Sequence, residues 1–211
     1  RFTGATSPDG FGDNPGDFYG THDNDGSLLP LHPFYVRDAL RQGVVNWMSA
    51  LRFLGSGDLS AFAALGSVGQ RKLDVRRLGF IGEDIGAQMG VMLARLEPSV
   101  ASLALVGASA FVTQGLVLSA SSQPVFSQLA GLLGRDPTNI DYAADHPKFW
   151  PELMLFETLA GRAEPLAYAP ALRRTADNML LMMAQDDETT ANSATEALAA
   201  ALGASFLAGD A

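Results

Sequence analysis

The chain has no cysteine, only three histidines and two tryptophans among 211 residues, and its 14 basic residues are outnumbered by 23 acidic ones. The missing cysteines exclude disulfides and thiolate metal sites, although they do not fix a compartment. The scarce histidines exclude an H-E-x-x-H zinc motif or any metal-spaced histidine cluster. His22 lies in an Asp/Gly-rich loop, His32 precedes Pro33 and His146 sits in Asp145-His146-Pro147, so each is expected to be a surface loop residue. A formal charge of −9 argues against nucleic acid, because phosphate binding needs clustered Lys and Arg. The nearest approach to a basic cluster is Arg71, Lys72, Arg76 and Arg77. P-loop and dinucleotide glycine fingerprints are absent as well, and no cofactor or metal is expected.

Charge is missing in another way between Glu97 and Arg135, where no Asp, Glu, Lys or Arg occurs. Within that stretch Val100 to Ala120 is long enough to cross a bilayer. Gly107, Ser109, Thr113, Gln114 and Ser119 interrupt it, however, and no basic flank anchors its start. It reads better as a buried strand followed by an uncharged segment, with no integral membrane span. The acidic loop Asp13, Asp17, Asp23, Asn24, Asp25 suggests calcium but fails the EF-hand spacing. With Gly26 in the glycine position, Thr21 and His32 fall where carboxylates are required.

What is present is an ordinary globular composition, 47% hydrophobic and 18% charged, sufficient for one domain over residues 1–211 with a sizeable core. The first 30 residues, rich in Gly, Asp, Asn and Pro, read as loop. Leu31 to Leu54 has helical spacing, with Val36, Leu40, Val44, Trp47, Met48, Leu51 and Leu54 on one stripe. Short apolar strands are expected at Leu78–Ile81, Ser102–Val106 and Met179–Ala184, with a fourth beginning at Ser205–Leu207. Between them lie a helix at Ile85–Leu96, with Ile85, Met89, Met92 and Leu96 inward, and amphipathic pieces at Phe126–Leu133 and Phe149–Leu159. A last helix opens at Ser193-Ala-Thr-Glu196 with capping-box spacing and ends at Gly203. Alternating apolar strands and helices predict an α/β fold, its parallel sheet covered on both faces.

The segment Leu78–Gly90 carries the most chemical information. An apolar run reaches Gly82-Glu83-Asp84-Ile85-Gly86 and a helical pattern follows. That is the layout of a nucleophile elbow, a tight strand-to-helix turn that raises one side chain above the sheet. Glycines flank the turn because a Cβ would not fit where strand and helix nearly touch. The raised residue is Asp84, which is open to two readings. It could be a covalent nucleophile forming an ester intermediate, or simply the N-cap of the helix at Ile85. Asp187, just past the third strand, lies at the carboxyl end of the sheet, where ligand-facing groups gather. It suits the acid that orients a catalytic base, or it belongs to a solvated loop with Asp186 and Glu188.

Four segments together resemble the α/β-hydrolase superfamily, and more narrowly a group of bacterial esterases and lipases. They are Arg1–Phe18, Arg37-Asp38-Ala39-Leu40-Arg41-Gln42, Leu78–Gly90 and Asp187–Gly203; Glu164–Pro170 also looks like the stretch before the seventh strand of such enzymes. The resemblance implies an α/β-hydrolase-type, mostly parallel sheet flanked by helices, with a helical cap-like insertion over residues 108–170. It also implies activity on a small apolar carboxylic ester and a secreted or cell-surface location. Catalytic roles carry over to Asp84 at the nucleophile position and Asp187 at the acid, and elbow or oxyanion roles to Gly82, Glu83, Ile85 and Gly86. Such esterases would have Gly-His-Ser-Leu-Gly at the elbow, so Asp84 replaces the serine. Their histidine would follow the eighth strand and their oxyanion loop the third. By this mapping the chain is an internal piece of a hydrolase domain, incomplete at both ends. Epoxide hydrolases and haloalkane dehalogenases resemble Gly-x-Asp-x-Gly more closely, but their His-Gly-x-Pro motif is absent. These departures leave an ester hydrolase lacking part of its catalytic set, an aspartate-nucleophile hydrolase, or a non-catalytic binding or scaffold protein.

Overall fold

Apolar side chains at every fourth position of Val36, Leu40 and Val44 wind the first described segment into helix α1, Pro33–Ser56. The computed structural model describes residues 33–56, 74, 76–112, 126–127, 130–131, 134, 151–173 and 178–205. The acidic loop with His22 and His32, the Arg71-Lys72 pair, His146 and the fourth strand expected from Ser205 to Leu207 lie wholly or mostly outside these residues.

After α1 come strand β1 (Leu78–Glu83), helix α2 (Ile85–Leu96) and strand β2 (Val100–Val106). Helix α3 (Pro151–Ala160), a 3-10 turn (Gly161–Ala163) and helix α4 (Pro165–Leu172) follow. Strand β3 (Met179–Met182) and helix α5 (Asn192–Leu202) complete the described elements. The three strands form one parallel sheet in the order β1-β2-β3. Parallel neighbours cannot be joined by a tight turn, and helices supply the crossovers. The register aligns Ile81 with Ala104 and Ala104 with Leu180, then Glu83 with Val106 and Val106 with Met182. The three strands therefore end level with one another.

One face of this sheet is packed. Leu103 and Leu105 of β2 meet Ala87 and Val91 of α2, Ala169 and Leu172 of α4, and Leu198 and Leu202 of α5. A second cluster joins α1 (Val36, Leu40, Val44) to α2 (Met92, Leu93) and α3 (Phe156, Ala160). Phe80 belongs to both clusters, and the Trp47 ring meets it edge-on with centroids 5.7 Å apart. Aromatic pairs favour that edge-to-face arrangement. Gly90 is where helix and sheet come closest, since a Cβ there would lie 2.7 Å from the Phe80 ring and 2.9 Å from Leu105.

The other sheet face differs from the sequence expectation. Ile81 is 80% exposed, Leu180 50% and Met182 40%. Because side chains alternate along a strand and these residues share a register, they stand on one side. Among the described residues, the apolar cluster around Leu103 and Leu105 forms on the opposite side, and no comparable cluster covers Ile81, Leu180 and Met182.

Three smaller expectations change for related reasons. Helix α2 is buried along Ala87, Gln88, Gly90, Val91, Met92 and Leu93, while Leu96 is exposed. The helix contacts the sheet on one flank and α1 on another, which widens its buried face beyond a single stripe. Trp47 and Leu54 on the α1 stripe are partly exposed. Helix α5 starts from Ala191 in an extended conformation with no side-chain cap, so the Ser193–Glu196 capping box does not form. Its C-cap Gly203 is left-handed (φ 71°), as expected. From residue 151 on, the 108–170 span contributes Phe156, Ala160, Ala163 and Ala169 to the two clusters. No helix among the described residues is long and apolar enough to cross a membrane.

Candidate functional site

The level strand ends and two further backbone bonds build the site. Beyond β1, the Asp84 N–H donates to the Val106 carbonyl at 2.9 Å; beyond β2, the Gly107 N–H donates to the Met182 carbonyl at 3.0 Å. Each post-strand turn is thus tied to its neighbour. The carboxyl end of the sheet becomes the floor of an open cavity of about 420 Å³. Glu83, Asp84, Val106, Gly107, Asp187, Thr189 and Thr190 line it. In parallel α/β sheets this end is where ligands bind.

The elbow dictates where Asp84 points. A Cβ on Gly82 would fall 2.5 Å from the Gly86 carbonyl oxygen and 2.8 Å from the Ala87 nitrogen, so the turn closes only over glycine. Gly86 acts through its backbone, because a Cβ there would meet nothing within 4 Å. This corrects the expectation that both glycines are needed for lack of side-chain space. Asp84 itself has φ 48° and ψ −114°. Those angles match the first central position of a type II′ turn, which glycine dominates, and holding a residue with a Cβ there costs about 1–3 kcal/mol. Asp84 occupies the N-cap position of α2, and its carbonyl accepts the Gln88 N–H at 3.0 Å. Its side chain makes no cap hydrogen bond deeper in the helix, although the adjacent Ile85 N–H favours its charged form.

Asp187 reaches the same cavity from the loop after β3. Its Oδ1 accepts the backbone N–H groups of Thr189 (2.8 Å) and Thr190 (3.0 Å), a local turn bond that aspartate readily makes. Asn192 braces the loop, accepting the Asp187 N–H at 3.3 Å and donating to the Ala184 carbonyl at 2.7 Å. Asp186 adopts a left-handed φ of 54°, which short polar residues tolerate. Opposite it, Gly107 is also left-handed (φ 59°), and a Cβ there would lie 3.5 Å from Asp187 Oδ2.

Asp84 and Asp187 therefore face one cavity, and they interact. Burial pushes the Asp84 carboxyl above the usual carboxylate range. The charges of Asp187 and Glu83 push in the same direction, while the Ile85 N–H and the Thr190 hydroxyl favour the charged form and offset part of the rise. A carboxyl shifted this way is a stronger base and holds a proton longer.

The structure brings Gly82, Glu83, Asp84, Ile85, Gly86 and Asp187 to one end of the sheet. The sequence reading overlooked Gly107, Thr189 and Thr190. An Asp followed two and three residues later by Thr is a turn signature, and it could have marked the two threonines. Among the described residues lining the cavity none is Lys, Arg or His. Among the described residues no group of three or more His, Cys, Asp or Glu is placed to hold a metal ion. No family model matches the chain, and no curated protein matches it either.

Proposed function

We propose that this chain is an α/β-hydrolase-type protein of esterase or lipase descent, with Asp84 in the nucleophile position and Asp187 in the acid position. The observation that supports this reading is the Asp84 backbone, a strained, non-capping carboxylate at a strand-to-helix turn closed over Gly82. Strain of this kind persists where the surroundings over-determine it, and it concentrates at functional sites. The cap-like role of the 108–170 span and the apolar ester as substrate belong to the same reading. With aspartate in place of serine, turnover of carboxylic esters is low, because the acyl-enzyme route has lost its hydroxyl.

The test is a panel of nitrophenyl esters of increasing acyl length, offered to the protein and to Asp84→Ser. Esterase activity that appears or rises in Asp84→Ser supports ester-hydrolase descent. Ligand binding without turnover by either form would leave a scaffold role instead.

A second reading is favoured by the carboxylate itself. An Asp84 oxygen attacks an sp3 carbon of an epoxide, and the C–O bond of the ring breaks with its electron pair passing to the ring oxygen, which takes a proton from water. The alkyl ester so formed is hydrolysed by a second water, which restores the carboxylate and releases a diol, and the proton set free neutralises the hydroxide left by the first water. Mass spectrometry of protein treated with an epoxide would find the adduct on Asp84. An adduct equally abundant in Asp84→Asn would refute this second reading.

A further inference from the structure

Glu164 is a carboxylic acid placed among the cores and used by neither carboxylate of the site. It is 5% exposed, stands at the N-cap position of α4 and makes no side-chain bond to that helix. Its Oε1 instead accepts the Val112 N–H at 3.3 Å, across 52 residues of sequence. Val112 follows Gly107 of the site along the chain. The stretch from Gly107 to Val112 is pinned at two residues: Gly107 N–H to Met182, Ala110 N–H to Ala194, and Leu166 N–H to the Ala110 carbonyl. Within it Ala108, Ser109 and Ala110 are fully buried or nearly so, and the Ser109 hydroxyl donates to the Phe111 carbonyl at 2.6 Å. The bond from Val112 to Glu164 is the last of these ties, and the one made to an ionisable side chain.

We propose that Glu164 is a positioning residue of the candidate site: its buried carboxyl holds Val112 and thereby steadies the Gly107–Val112 stretch, whose first residue, Gly107, lines the cavity beside Asp84 and Asp187. The inference rests on those two residues being the site and needs nothing about the reaction they perform. Burial and the neighbouring charge of Glu157 on α3 disfavour the Glu164 carboxylate, against a smaller opposing effect of the Val112 N–H, and raise its pKa from 4.5 to about 7. Other charged groups stand on the surrounding elements. Arg37 and Arg41 on α1 pair with Asp38, Arg162 lies in the 3-10 turn before Glu164, Glu152 is in the first turn of α3, and Glu196 is on α5.

The sign follows from linkage. An opening of the stretch that exposes Glu164 to water returns it to its ordinary pKa, so the closed form binds the proton more tightly. Opening is therefore least populated at acid pH. It grows by up to roughly tenfold per pH unit across the interval between those two values and is constant above it. Asp84, Glu83 and Asp187 face the other end of the stretch, and the rise at Asp84 acts in the same direction. The Glu164 contribution must therefore be isolated by substitution.

Amide exchange of the whole protein, read as protection factors at Gly107, Ala110 and Val112 between about pH 5 and about pH 8, tests this. In the wild type, Val112 protection falls with pH to about pH 7 and then levels, and the Thr190 amide shift moves with the same midpoint. In Glu164→Gln, whose neutral amide oxygen still accepts the Val112 N–H, that part of the slope disappears. A flat wild-type profile, an unchanged slope in Glu164→Gln, or a Thr190 signal that ignores the Val112 midpoint overturns the proposal. Should the variant not fold, the Glu164 carboxyl is titrated by carbon NMR in the wild type, and a midpoint in the ordinary carboxylate range overturns it. None of these readouts uses turnover, so failure of the hydrolase reading would be seen separately.

Discussion

The carbonyl oxygen of Gly86 lies where the Cβ of any residue other than glycine at position 82 would come within 2.5 Å of it. The obstacle is backbone, which cannot rotate aside as a side chain can. Gly82→Ala should therefore displace either β1 or the start of α2, with a loss of about 3 kcal/mol or more, in the range of severe overpacking. Gly86→Ala meets open space within a helix, and removing a helical glycine should stabilise by about 0.5–1 kcal/mol. Denaturant unfolding of the two variants gives opposite signs if the elbow closes as described.

Helix α5 presents an uncapped start. Ala191 stands at the N-cap, where its carbonyl accepts the Ala194 N–H at 2.9 Å but its methyl side chain offers no acceptor to the first-turn N–H groups. Ala191→Ser or Ala191→Asp should raise stability by about 0.5–1 kcal/mol. Ser193, inside the helix, should be replaceable by alanine without loss, since the expected capping box is not formed. A thermal shift for Ser193→Ala equal and opposite to that for Ala191→Ser would return the cap to Ser193.

The elements legible in the sequence are those in which local pattern and tertiary environment agree. Helix Ile85–Leu96 was readable to the residue, because a glycine turn precedes it and Pro98 follows it. The strands appeared as short apolar runs, and each ends within two residues of the expected position. Hydrophobic periodicity reports how much of an element is apolar but not which neighbours are present. It therefore could not show that Ile81 and Leu180 stand exposed while Phe80 and Leu105 are packed. At the site, Asp84 and Asp187 were legible from their places after strands. Gly107 was not, because its role depends on a left-handed backbone opposite a loop some 80 residues away.

The exposed face of the sheet leads to a contrast between two leucines. Leu105 is fully buried among α2, α4 and α5, and Leu105→Ala should cost about 2–5 kcal/mol. Leu180, half exposed, belongs to the Ile81–Met182 side, and Leu180→Thr should change stability by less than about 0.5 kcal/mol. Ile81→Thr combined with Leu180→Thr should also lower binding of a hydrophobic dye, since a contiguous apolar patch is reduced. Equal losses for Leu105→Ala and Leu180→Thr in urea would mean that both sheet faces are packed.

Asp84 ties strain, charge and pH together at one residue. Its folded-state pKa is raised, chiefly by burial and further by Asp187 and Glu83. The native state therefore favours the neutral acid. The stability this contributes is present below the unfolded pKa of 3.8 and declines as pH rises toward the folded value. Once ionised, the carboxylate carries its charge in a place that disfavours charge, on a backbone that disfavours a Cβ. Asp84→Asn removes the first cost and Asp84→Gly removes both, so stability at neutral pH should rise in the order wild type, Asn, Gly. The step to glycine should be about 1–3 kcal/mol, the range for a strained residue. Asp187→Asn should lower the Asp84 pKa by removing a neighbouring negative charge, which a carbon NMR titration of Asp84 reads directly. An Asp84→Gly variant less stable than wild type would mean that the carboxylate is held by bonds stronger than the strain they oppose, and the residue would then be structural.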